Sequence, residues 1–140
     1  MRFKGYKITI RCLDWEQVAT IDNYWNLVAS HINRKKIVGL GFNWSDDNLY
    51  FDYAIGVISD EEALEELNNL DFSKTNIKPE YIELDLPEED EWMTFKGKDE
   101  DIKTIYEVNI DRQNKEYDYE LEYIDGKGNI EIKIHFTKDR

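Results

Sequence analysis

Between Asp118 and Phe136 the chain reads DYELEYIDGKGNIEIKIHF, and apolar side chains fall on every second residue of both arms. Tyr119, Leu121 and Tyr123 lead out; Ile130, Ile132, Ile134 and Phe136 come back. A period of two marks strands with a buried face. The DGKG between the arms supplies glycines for the positive φ angles of a short hairpin turn. A two-stranded ribbon is only marginally stable by itself, so the hairpin commits the chain to a larger sheet. A four-residue loop sets Tyr123 opposite Ile130, Leu121 opposite Ile132 and Glu122 opposite Glu131. Facing carboxylates repel, so this register asks for a positive group nearby, either Lys133 or a bound cation.

Upstream, Lys7 to Cys12 shows the same alternation, with Ile8 and Ile10 on one face and Cys12 as a small core residue. From Ile21 to Ile32 the period changes. Ile21, Tyr24, Trp25, Val28 and Ile32 make one helical stripe, and Thr20 or Asp22 can cap its start. Arg34-Lys35-Lys36 follows Asn33 and suits the negative end of the helix dipole. Ile37–Trp44 and Leu49–Ile58 read as antiparallel strands around the turn Ser45-Asp46-Asp47-Asn48. Gly39, Gly41 and Gly56 inside them point to bulges or to another backbone close by.

Ser59 to Leu70 predicts an acidic helix, with Ser59 and Glu62 at capping-box spacing and Leu64, Leu67 and Leu70 on its apolar edge. Ile77 to Leu86 is a strand that Pro87 stops. Glu91 to Gly97 is another. Asp99 then caps a helix with Ile102, Ile105, Tyr106 and Asn109 on one side, and the final hairpin follows. The order strand, helix, strand, strand therefore occurs twice, in halves of about 5–58 and 77–137 joined by an acidic helical connector, 59–76. The expected fold is a single α+β domain: two pseudo-symmetric units forming an antiparallel sheet of about eight strands, two main helices, and a groove between the halves.

Charge narrows the partners. The net charge is −13, and residues 59–101 carry 16 acidic against 4 basic side chains. Phosphate binding needs a basic footprint, so direct nucleic-acid binding is excluded, whereas a cationic partner is favoured. One cysteine excludes an internal disulfide framework. With no signal peptide and no membrane-length apolar run, a cytoplasmic protein is expected.

His31 and His135 are the only histidines, and no phosphate loop, HExxH or GxSxG string occurs. Neither a catalytic triad, a metal set nor a cofactor is expected. What remains is an excess of rings, 4 Trp and 9 Tyr, in an acidic chain. Trp25, Phe51, Tyr53, Trp92 and Tyr106 stand on the elements that would wall the groove; each has the core as its alternative place. Aromatic faces attract organic cations, and a carboxylate in a dry groove would strengthen the attraction. Glu122 is the candidate, although it shares strand parity with Asp118 and Glu120, which taken alone describes a solvated face.

Several strings, in order, resemble one family. IDNYWNLV with Trp25, FDYAIGV with Phe51, Tyr53 and Gly56, LPEEDEWMTFKGK with Pro87, Phe95 and Gly97, and LEYI with Glu122 are similar to segments of the GyrI-like, or AraC-type, effector-binding domains. These are ligand-sensing modules of bacterial transcription activators, and also occur as stand-alone proteins. The resemblance spans about Lys7 to Phe136 and implies that Glu122 contacts cationic ligands, with Glu120 as a competing register. No DNA-binding region precedes the domain here, so the expectation is a stand-alone binder of lipophilic cations at Glu122, Trp25, Tyr53, Trp92, Tyr106 and Phe51. Two alternatives accompany it. One is a hydrolase of small reactive compounds using the pocket glutamate, and the other is an acidic interaction module for a basic, DNA-handling protein.

Overall fold

The computed structural model describes residues 1–140. Seven strands form one antiparallel sheet: β1 (Arg2–Arg11), β2 (Val38–Phe42), β3 (Tyr50–Ile58), β4 (Glu80–Asp85), β5 (Met93–Lys98), β6 (Lys115–Ile124) and β7 (Asn129–Asp139). Across the sheet they run β4-β1-β3-β2-β6-β7-β5. Without the edge strand β4, that order is a palindrome about the β2–β6 pair, in which β1, β3 and β2 answer to β5, β7 and β6. The repeated element order is thus a repeated topology, in an α+β sheet of seven strands rather than about eight.

Helix α1 (Glu16–Ala29) buries Ile21, Tyr24, Trp25 and Val28 on the sheet. It begins five residues before the apolar stripe does. Neither Thr20 nor Asp22 caps it; Trp15 stands at the start in the left-handed region (φ 63°) with no side-chain cap. The basic run after Asn33 forms its own 3₁₀ turn, Arg34–Lys36, capped by the Asn33 side chain. Helix α2 (Glu61–Asn68) is capped by Asp60, whose carboxylate accepts from the Ala63 amide, not by Ser59. Leu64 and Leu67 pack inward as the spacing requires.

The third helical segment, α3, is irregular. It passes from a 3₁₀ turn (Asp99–Asp101) through Ile102–Thr104 into a π-helix (Ile105–Ile110) and ends in a second 3₁₀ turn (Asp111–Gln113). A π turn aligns residues five apart, so Ile110 falls beneath Ile105 and both are buried. Ile110 takes the inward place expected of Asn109, which is exposed.

Both faces of the sheet are covered. One carries Ile10, Phe51, Tyr53, Ile55, Val57, Ile130, Ile132 and Ile134 beneath the helices. On the other, Phe3, Val38, Leu40, Phe42, Ala54 and Leu121 lie under Leu86 and Trp92, which flank the β4–β5 connection. No helix is long and apolar enough to cross a membrane.

The hairpin register differs from expectation by one residue: Ile124 pairs with Ile130, Tyr123 with Glu131, Glu122 with Ile132 and Leu121 with Lys133. Asp125 accounts for it. Its carboxylate accepts from the Lys127 and Asn129 amides, and its own amide donates to Asn129. Five residues, 125–129, thus separate the paired Ile124 and Ile130, with Gly126 and Gly128 both at positive φ. A one-residue change of register alters every cross-strand partner. Glu122 therefore does not face Glu131, and Lys133 lies on the other face, over the Tyr123 ring and 3.7 Å from Glu89. Lys133 is not the counter-charge of Glu122.

Candidate functional site

On the helix face, β6 sends two carboxylates into the core: Glu120 is 5% exposed and Glu122 1%. The solvated face that strand parity described is in fact interior. Room for them comes from β2, where Gly39 stands opposite Glu122 and Gly41 opposite Glu120. A Cβ at Gly41 would come within 2.5 Å of Glu120 Oε1, and one at Gly39 would overlap the Tyr53 hydroxyl and press on Trp25. The strand glycines mark neither bulges nor backbone approach at these two positions. They make space for polar side chains of the neighbouring strands.

A hydrogen-bonded chain ties the carboxylates to the core. Trp25 Nε1 donates to the Tyr53 hydroxyl at 2.7 Å, which leaves that hydroxyl to donate to Glu122 Oε2 at 3.3 Å. From α3, the Tyr106 hydroxyl lies 2.9 Å from Glu120 Oε2 and 3.1 Å from Glu122 Oε1. Glu120 and Glu122 are thus not competing registers. They sit side by side and share one tyrosine.

Around them opens a cavity of about 230 Å³, lined from both halves of the chain. Trp15, Trp44, Phe51, Tyr106 and Tyr117 supply rings; Asp22, Asp99, Asp111, Glu120 and Glu122 supply acid. No lysine, arginine or histidine lines it. Trp44 stacks on Phe51 (centroids 5.7 Å, 8° between planes) and meets Tyr117 edge-on.

Electrostatics follow from this setting. Burial is the main cause that raises both glutamates far above the ordinary carboxyl range. The charge of Glu122 raises Glu120 further, while the Tyr106 and Tyr53 hydroxyls only partly offset the effect at Glu122. Burial likewise holds Tyr53 and Tyr106 neutral, helped by the two carboxylates. Asp22 is raised by burial and by Asp99, against a lowering by Arg34. The Cys12 thiol, half-buried at the cavity, is pushed up to about 11 by burial and by Glu120, so it is no thiolate at neutral pH.

The sequence candidates divide. Glu122, Phe51 and Tyr106 line the cavity. Tyr53 and Trp25 sit behind its wall and act on it through Glu122. Trp92 does not belong to the site: it packs on the opposite face, against Tyr119 and His135, with its Nε1 donating to the Pro87 carbonyl. The expected strand Glu91–Gly97 includes Trp92, but β5 starts at Met93, and Trp92 belongs to the connection across the far face. Trp15, Trp44, Tyr117 and Asp22 went unnoticed. Trp15 stands outside regular elements, where periodicity gives no direction; Trp44, at the end of the expected strand, falls beyond β2, and Asp22 lies inside α1 and not at its start. His31 is exposed, and His135 is held by Asp118 at 2.7 Å and Glu91 at 3.6 Å, away from the cavity. No cluster of three or more His, Cys, Asp or Glu suited to a metal ion is present.

No protein-family model matches the chain, and no curated protein matches it. Among solved structures, one described as a hydrolase from Listeria innocua aligns with 97% of this chain and 88% of its own, at 13% identity and a TM-score of 0.38. At that level the likeness carries no functional argument.

Proposed function

We propose that this chain is a stand-alone binding protein for lipophilic organic cations, with the Glu120–Glu122 pair as the charge that receives them. One observation carries the reading: a ring-lined cavity holds five carboxylates, two of them in the core, and no basic side chain. Two buried carboxylates without a cation are costly, and a ligand bearing a positive charge and apolar surface would relieve that cost while covering the rings. The GyrI-like resemblance and a cytoplasmic setting belong to the same proposal.

The test is a titration with benzyltrimethylammonium and its uncharged isostere neopentylbenzene, followed by the fluorescence of Trp15 and Trp44. Micromolar binding of the cation, at least about tenfold tighter than the isostere and lost in Glu122→Gln, is expected. Equal binding of the two, or binding of neither, refutes the proposal.

The shared tyrosine favours a second reading, hydrolysis of a small reactive compound. A neutral Glu120 and an ionised Glu122 in one cavity would supply an acid and a base. Time-dependent loss of a substrate, absent in Glu122→Gln, would put this reading first. Salt-sensitive association with a basic protein, indifferent to Glu122→Gln, would move the site to the acidic surface of 59–101.

A further inference from the structure

The Tyr106 hydroxyl carries one hydrogen, yet a carboxylate oxygen lies within hydrogen-bonding distance of it on either side, at 2.9 and 3.1 Å. With both glutamates ionised, one of those oxygens would face a tyrosine lone pair, and two buried negative charges would stand together. On the far side of Glu122 the direction follows from the partners: Trp25 donates to the Tyr53 oxygen, and Glu122 is the one acceptor that the Tyr53 hydroxyl hydrogen reaches. Glu122 is therefore the member built to accept. The consistent arrangement has Glu120 protonated and donating to the Tyr106 oxygen, and Tyr106 donating to Glu122. One extra proton completes the chain.

We infer that a cation binds this site in exchange for that proton: the Glu120 hydroxyl hydrogen leaves for solvent as the ligand's positive charge enters. The inference rests on the cation-binding reading above and adds its coupling. The exchange balances: a pair with net charge −1 becomes a pair with charge −2 facing a ligand of +1. No bond other than the Glu120 O–H is broken. The groups facing the pair do not supply the counter-charge themselves. They are Cys12 following β1, Asp22 on α1, Tyr53 on β3, Asp99, Tyr106 and Asp111 on α3, and Tyr117 on β6. Each is acidic or neutral. Of the nearby cations, Arg34 bonds Asn26, lies over the Trp25 ring and acts on Asp22, Lys103 lies over Trp15, and Arg140 acts on Tyr117; none of them pairs with either glutamate. The raised pKa of both glutamates, caused first by burial, agrees with a proton held at neutral pH.

Calorimetric titration with benzyltrimethylammonium, a cation that cannot itself titrate, tests the exchange. Measured in buffers of different ionisation enthalpy, wild type releases close to one proton per ligand at neutral pH. Its Kd tightens about tenfold per pH unit until the free pair loses its proton. Glu120→Gln weakens binding by removing one of the two receiving carboxylates, and the binding left at Glu122 shows proton release and a pH slope that fall towards zero. Binding without proton release in wild type overturns the inference and leaves the binding reading standing; absence of binding at every pH refutes both. Infrared difference spectra give a readout without ligand: the carbonyl stretch of a protonated carboxyl in free wild type at neutral pH, lost in Glu120→Gln. Its absence in wild type also overturns the inference.

Discussion

Replacing Glu120 by glutamine is expected to stabilise the ligand-free protein, although it removes a hydrogen-bonded carboxyl from the core. The side chain is 5% exposed, and burial, reinforced by the charge of Glu122, raises its carboxyl far above the ordinary range. When a folded carboxyl titrates above its unfolded value, the native state holds more protons than the unfolded state between those two values. Stability then falls as pH rises through that window, which opens at the ordinary carboxyl value and extends past neutrality. The slope is about 1.4 kcal/mol per pH unit for each such proton, so at pH 7 one proton accumulates about 3 kcal/mol of cost. Glutamine has nearly the same shape, can hydrogen-bond Tyr106 and needs no proton. Chemical denaturation at pH 5, 6, 7 and 8 should show Glu120→Gln about 2–3 kcal/mol more stable than wild type at pH 7, with the difference shrinking towards pH 5. Its stability should also depend less on pH, by about one proton. A variant less stable than wild type at pH 7, or a wild type whose stability is flat between pH 5 and 8, would refute the reasoning.

Three further outcomes follow from the geometry. Gly39→Ala places a methyl group against the Tyr53 hydroxyl and Trp25, so it should cost about 2 kcal/mol in denaturation and shift tryptophan emission as the Trp25–Tyr53 bond breaks. Gln17 Oε1 lies buried at the cavity with no hydrogen-bond partner. Gln17→Leu should therefore leave stability unchanged or raise it by about 1 kcal/mol, while weakening benzylammonium, which can donate to that oxygen, more than benzyltrimethylammonium. Trp92→Ala should lower stability by about 3 kcal/mol, seen in thermal denaturation, yet change cation affinity less than about twofold, because Trp92 lies across the sheet from the cavity.

Much of the fold was legible along the chain, for a local reason. Periods of two and of about four record which side of each element is buried, and the strand-helix-strand-strand order written twice becomes a sheet palindromic about β2 and β6. The acidic composition and the parity that puts Glu120 and Glu122 on one side of β6 were likewise readable. Only the assembled sheet decided the rest. Asp125 set the hairpin register and so removed Glu131 and Lys133 from the vicinity of Glu122. A π turn chose Ile110 over Asn109. Packing on both faces turned an apparently solvated row of carboxylates into a buried pair, with Gly39 and Gly41 on the next strand leaving the space. The Tyr106 bridge joins residues 14 and 16 positions apart, and the Tyr53 hydroxyl reaches Glu122 across 69. Periodicity describes one element against an averaged interior. It carries no information on which residue of a distant element will stand opposite, and a shared proton is a property of that opposition.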